Sequence, residues 1–245
     1  MQFTNFKNLM VEKFKSIIGY ELNDIQIEKF FDYMNLLIET NKVMNLTAID
    51  EPKEIVVRHF VDSSILIKLY GQYVFDNKKI IDIGTGAGFP GLPLAIVSGK
   101  GKFVLTDTLG KRVKFLENVI ESIGLKNVEL VKDRAEVLGH NKRFREQFDY
   151  SVSRGVAKFS VLSEYSLPFI KVKGKMLSYK MNDCDIELFE GKRAIEKLGG
   201  KFRSKKPYKL FDNEPERAIL EIEKVEPTSK SYPRKVGTPS KQPLS

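Results

Sequence analysis

The stretch DIGTGAGFPG, Asp82 to Gly91, sets Gly84, Gly86 and Gly88 two apart directly behind the apolar run around Ile80 and Ile81. Glycines at a strand-to-helix turn let the backbone approach a ligand and aim amide N–H groups at it. Nicotinamide folds use Gly-x-Gly-x-x-Gly, in which the last glycine lets the helix pack close on the strand. Here Phe89 stands at that last position, and Pro90 and Pro93 remove two amide donors from the first helical turn. A diphosphate is poorly served by such a turn. An adenosine with no phosphate and an amino-acid end fits better, and S-adenosylmethionine is such a ligand. Asp107, in LTDT, can accept both ribose hydroxyls, a role open to NAD and S-adenosylmethionine alike. Asp133, Ala135 and Glu136 follow the next apolar run, where an adenine ring would be flanked. Polar residues at successive strand ends favour a site over a set of solvated loop residues.

The remaining inventory excludes other chemistries. His59 and His140 are the only histidines and lie far apart in sequence, so neither a zinc site nor a histidine-based triad is easily built. His59 is expected to be a packed or capping side chain. Cys184 is the one cysteine, which rules out an intramolecular disulfide and fits a reducing compartment. Lys+Arg of 41 against Asp+Glu of 32 gives a net charge of +9, a bias toward polyanionic partners. The amino-terminal MQFTNFKNLMVEKFK has no uninterrupted apolar core of a signal, and no run approaches the length of a membrane span. A soluble, cytoplasmic protein is expected.

Positioning these residues requires an alternating frame. At 245 residues and 42% hydrophobic, the chain can hold one or two units with a substantial core. Residues 1–75 read as a helical extension: Asn23 and Gln26 suit a capping box, and Ile27, Phe30, Phe31, Met34, Leu37 and Ile38 recur at helical spacing. Residues 76–226 alternate. KKIIDIG, KFVLTD, VELVKD, FDYSVSR and GKMLSYK predict strands; PGLPLAIVSG, GKRVKFLENVIESIG and the stretch from Phe159 to Ile170 predict helices between them. KFRSKKPYKLFD and RAILEIEKVE alternate at period two and predict an antiparallel closing pair. The expected fold is α/β and Rossmann-like, with a mostly parallel seven-stranded sheet, an antiparallel C-terminal strand and ligands at the carboxyl ends of the strands. Residues 227–245, basic and proline-rich without apolar period, predict a tail.

NKVMNLTAI, RHFVDS, DIGTGAGFPGLPLAI, TDTLGKRVKFL, DRAE, FDYSVSRGVA and YPRKVGTPSKQPL together resemble the glucose-inhibited division protein B family, bacterial small-subunit ribosomal RNA guanine-N7 methyltransferases. The resemblance runs from about Glu21 to Leu244, with Gly155 where alanine is expected. It implies a class I S-adenosylmethionine-dependent methyltransferase with cofactor contacts at Gly84, Phe89, Thr106, Asp107, Thr108, Ala135, Glu136 and Arg154; Gly86, where a side chain would meet the cofactor, is expected beside them. It implies 16S ribosomal RNA or the small ribosomal subunit as partner; a monomer, with no metal and no membrane, is expected.

Guanine N7 carries a lone pair and no proton, so methylation needs no general base, and no catalytic side chain is expected beyond those that position the reactants. Lys180, Tyr232, Arg234, Lys235 and Lys241 are expected to contact RNA, the lysines and arginine through phosphates and Tyr232 by stacking. Lys175 and Lys180 are assigned to phosphate contact or packing. The rivals are a small-molecule methyltransferase of the same fold, a non-catalytic RNA-binding assembly factor that retains the cleft, and last a nicotinamide enzyme.

Overall fold

The computed structural model describes residues 1–244. Four helices precede the first strand: α1 (Phe3–Lys13), α2 (Asp24–Met44), α3 (Pro52–Glu54), which continues as a π-helical stretch Ile55–Val61, and α4 (Ile65–Tyr70). The Asn23–Gln26 capping box forms with both of its hydrogen bonds. Gln26 also donates to Ile96 O and Val97 O, 3.2 and 3.1 Å away, tying the start of α2 to the carbonyls of a helix behind the glycine turn.

The sheet alternates with helices: β1 (Lys79–Ile83), α5 (Gly91–Ser98), β2 (Lys102–Asp107), α6 (Gly110–Ser122), β3 (Val128–Lys132), α7 (Ala135–Leu138), β4 (Phe148–Arg154), α8 (Phe159–Ser166) and β5 (Ile170–Met181). Then come α9 (Asp185–Lys197), β6 (Gly200–Tyr208), β7 (Arg217–Lys224) and a short α10 (Thr238–Lys241). The order is β3-β2-β1-β4-β5-β7-β6; β1 to β5 are parallel, and β7 runs antiparallel to both β5 and β6. The expected architecture is the one found. α9 was not foreseen, and the strand expected at GKMLSYK begins earlier, at Ile170.

Successive strand residues face opposite sides, so the sheet is covered twice. Ile80 joins a core made with α1, α2, α4, α5 and α6, while Ile81 and Ile83 face Phe144, Phe148 and Phe169. Further along, Leu177 and Ile219 join the first core, whereas Met176 and Ile222 pack with α8 and α9. An aromatic chain runs through the first core into the glycine turn. Phe30 meets Phe60 at 4.9 Å, and Tyr33 and His59 each stack with Phe89, at 5.6 and 4.4 Å. Tyr33 also donates to Ala87 O.

The segment after Pro227, expected as a tail, is a packed strap. Arg145 donates to the carbonyls of Gly139, Thr228, Ser229 and Tyr232. Lys224, fully buried, donates to Thr228 Oγ1 at 2.6 Å, and Leu244 is buried in the α8–α9 core. Polar contacts to backbone hold this segment, and apolar periodicity is blind to those.

Candidate functional site

Two hollows open at the carboxyl ends of the parallel strands and share Gly155. The first, about 330 Å³, is lined by Gly84 of the glycine turn, Thr106, Asp107 and Thr108 at the end of β2, and Ala135 and Glu136 at the start of α7. That volume lies at the lower end of ordinary ligand sites. Thr85 N donates to Thr106 O at 2.9 Å and Thr106 Oγ1 to Asp82 O at 3.0 Å, stitching the turn to β2. Asp107 Oδ2 accepts from Gly86 N at 3.0 Å and Oδ1 from Leu109 N at 2.9 Å, with Arg112 at 3.6 Å. Each carboxylate oxygen keeps a further lone pair, enough to receive a hydroxyl.

The glycines are needed where the turn is tightest. A Cβ on Gly88, whose φ is +106°, would sit 2.5 Å from the Tyr33 hydroxyl and 2.7 Å from Leu92. Gly86, at φ +63°, borders open space, so its requirement is conformational.

Sequence reasoning missed Asp82, the first residue of the glycine stretch. It is wholly buried, and its Oδ2 accepts from Thr85 Oγ1 at 2.7 Å and Gly91 N at 2.8 Å, latching the two ends of the turn. Burial, only partly offset by those hydrogen bonds, pushes its carboxyl up to about 7. Its one sequence signal was an acid inside an apolar strand.

The donor set suits S-adenosylmethionine and not a dinucleotide. In the first turn of α5, Gly91 N is held by Asp82, Leu92 N by Gly88 O and Leu94 N by Pro90 O, and Pro93 has no N–H. No amide of that turn is left for a diphosphate. The cleft carries three carboxylates, Asp107, Asp133 and Glu136, against Arg112 and Arg134. That balance favours hydroxyl and amine donors over phosphate oxygens.

The second hollow, about 860 Å³, lies beside the π-helical stretch and is lined by Arg58, His59, Asp62, Arg154, Lys180 and Arg217, among others. Buried Asp62 organises it, binding Arg154 at 2.8 Å, Arg217 at 3.0 Å and the Tyr208 hydroxyl at 2.9 Å. Arg154 also donates to Arg58 O and lies over the Phe89 ring at 5.1 Å. His59 bonds Thr47 Oγ1 through Nε2 at 2.9 Å. Burial, then the Arg154 charge, pushes its imidazole down to about 4, so it is neutral at physiological pH.

Of the residues expected at the cofactor, Gly84, Thr106, Asp107, Thr108, Ala135 and Glu136 are brought together in the first hollow. Gly86, Phe89 and Arg154 do not line it. Gly86 stands one hydrogen bond behind Asp107, Phe89 is buried in the aromatic chain, and Asp62 draws Arg154 into the second hollow.

Three of the expected RNA contacts are otherwise engaged. Lys180 bonds Ala157 O and Glu187. Tyr232 packs against the α8–α9 core, and its carbonyl accepts from Arg145. Arg234 grips fully buried Glu164 through two nitrogens, at 3.0 and 2.7 Å. Lys235 and Lys241 are exposed. The strap reaches the first hollow itself. Gly237 N donates to Glu136 Oε1 at 2.9 Å, and Ser240 Oγ bonds the hydroxyl of Tyr165, another lining residue, at 2.9 Å.

Comparison with known proteins adds the following. The family model described as GidB, rRNA small subunit methyltransferase G, matches residues 26–212. A protein of Leuconostoc citreum (strain KM20) named ribosomal RNA small subunit methyltransferase G is 42% identical over 240 residues, covering 97% of this chain and 100% of that one. Its namesake in Lactococcus lactis subsp. cremoris (strain MG1363) is 46% identical over 224 residues, covering 91% and 93%. Among solved structures, a SAM dependent methyltransferase from Aquifex aeolicus matches with a TM-score of 0.54 and 19% identity over 73% of this chain and 96% of that one. M. jannaschii TYW2, crystallised with AdoMet, matches with a TM-score of 0.50 and 17% identity over 63% and 73%. At those identities the solved structures speak for the fold alone.

Proposed function

Because the chain belongs to the rRNA small subunit methyltransferase G family, we propose that it methylates N7 of a guanine in 16S ribosomal RNA, holding S-adenosylmethionine in the first hollow and the guanine in the second. It is an S-adenosylmethionine-dependent methyltransferase of small-subunit ribosomal RNA. The observation that carries the two-site assignment is the junction at Gly155, where the cofactor-sized cleft opens beside the larger cavity at the end of β4.

When bound, S-adenosylmethionine supplies an electrophilic methyl on a sulfonium. The chain's own contribution is placement. Asp107 receives the ribose hydroxyls, Ala135 and Glu136 flank the adenine, and the Asp82 latch fixes the turn beneath them. Asp62 holds Arg154 and Arg217 at the acceptor side. N7 has no proton to lose, and a neutral His59 adds no charge beside the guanine, which becomes cationic as it is methylated. Orientation of this kind contributes up to ~7–11 kcal/mol.

The enzyme works as a monomer in the cytoplasm, and its exposed Lys235 and Lys241 contact RNA phosphates. Mapping 7-methylguanine in 16S ribosomal RNA from cells with and without the protein tests the assignment. One N7-methylated guanine should be lost without it. An unchanged map would overturn it. Methyl transfer to deproteinised RNA and to assembled subunits then identifies the substrate form.

A further inference from the structure

A third hollow, about 500 Å³, lies at the opposite edge of the sheet, where β1 to β4 begin. Five cations line it, Lys79, Lys100, Lys102, Lys126 and Arg143, against the single carboxylate of Glu129. Glu129 is taken by Arg143 at 2.6 Å, and Lys100 reaches Asp76 only at 3.7 Å. Among the described residues no carboxylate lies within ion-pair distance of Lys79, Lys102 or Lys126.

The register sharpens this. Lys79 and Lys102 are direct neighbours on β1 and β2, a like-charge juxtaposition that disfavours the pairing. The other half of the same sheet sets Lys175 and Lys201 each in register with Glu223, and the ion pairs made there are Lys175 with Glu221 at 2.7 Å and Arg203 with Glu223 at 2.6 Å. Converging unpaired ammonium groups over a concave floor gather anions. From Lys102 to Asp107 the strand spans about 17 Å at ~3.3 Å per residue, which separates this end of the sheet from the first hollow.

We propose that this amino-edge hollow is a second RNA-phosphate site, gripping the backbone of the substrate ribosomal RNA at a distance from the reacting guanine. It rests on the ribosomal RNA assignment above and adds a surface on the far side of the sheet from the two site hollows. Its ligand is the phosphodiester backbone, with no base readout.

The test compares the full-length wild type with Lys79→Glu/Lys102→Glu/Lys126→Glu. Filter binding to deproteinised 16S ribosomal RNA is measured at several salt concentrations, with S-adenosylmethionine titrated calorimetrically as a check on the fold. Exposed Lys15, Lys42 and Lys192, changed together to Glu, give the same change in net charge elsewhere. The hollow variant should bind RNA at least tenfold more weakly, with a log–log salt slope flatter by about 2 for three lost contacts, and should bind S-adenosylmethionine as the wild type does. Equal losses in both variants would reduce the effect to net charge and overturn the proposal, as would an unchanged slope. If the charge reversal impairs folding, the Lys→Gln triple must still flatten the slope, or the proposal fails. A wild type that binds S-adenosylmethionine but neither deproteinised 16S ribosomal RNA nor the assembled small subunit would instead sink the functional assignment.

Discussion

Asp107 divides its carboxylate between the amides of Gly86 and Leu109 and still offers lone pairs to the cleft. Asp107→Ala should therefore weaken S-adenosylmethionine binding by about 1–3 kcal/mol, the cost of unpaired hydroxyls. Calorimetric titration checks it, and unchanged affinity would remove this residue from the site. The two buried titratable groups nearby oppose one another. His59 sits at about 4 in the fold against an ordinary value of 6.5, so stability is lost as pH falls from 6.5 to 4, by up to ~3 kcal/mol. Asp82 sits at about 7 against 3.8, so its contribution is fully present below 3.8 and is lost as pH rises through 7. His59→Gln removes only the first. Relative to wild type, the variant should gain stability as pH falls from 6.5 toward 4, measured by urea unfolding at pH 5 and 7; a constant difference would mean that the imidazole is not held neutral. At this scale the grouping of Asp107, Ala135 and Glu136 in one hollow was legible because they stand at or just after the ends of apolar strands, whereas Thr108 came from the family resemblance. Asp82 was not, because its role depends on complete burial and on an amide nine residues away.

The strap is the element whose role departs furthest from its composition. It grips Glu136 and Tyr165, both on the cleft wall, so a chain ending at Pro227 should bind S-adenosylmethionine at least tenfold more weakly and melt at lower temperature. Equal cofactor affinity would return the segment to a solvated end. Arg234→Met should cost about 3–5 kcal/mol, since fully buried Glu164 would lose its cation. Changing both to Met and Gln should recover part of that loss in thermal unfolding. The parallel strands were readable as short apolar runs, and α2 from its cap and period. The strap was unreadable because its contacts are made by backbone carbonyls, Arg145 and buried carboxylates. α9 escaped notice for the opposite reason: its conspicuous apolar residues, Ile186 and Phe189, are 75% and 80% exposed, and its buried face is made by Gly191, Ala194 and Ile195.

Across the whole molecule, the hollow proposed for the cofactor is mildly acidic while lysines without an ion-pair partner among the described residues gather at the amino ends of the strands. The two ligands should then respond differently to salt. Between about 50 and 200 mM, ribosomal RNA affinity should fall at least a hundredfold, while S-adenosylmethionine affinity stays within about twofold. Parallel titrations decide it, and matching slopes would contradict the separation of charge. Chain order adds a consequence of the strap that concerns synthesis. Glu136 precedes the amide that holds it, that of Gly237, by 101 residues, about 5–20 s of translation at ~5–20 residues per second. Glu164 is made 70 residues before Arg234. All seven strands are thus made while the first hollow still lacks its outer brace. If the truncated chain binds S-adenosylmethionine poorly, capture of the methyl donor must trail assembly of the sheet, and a polypeptide released before the strap is made should carry the glycine turn without its brace.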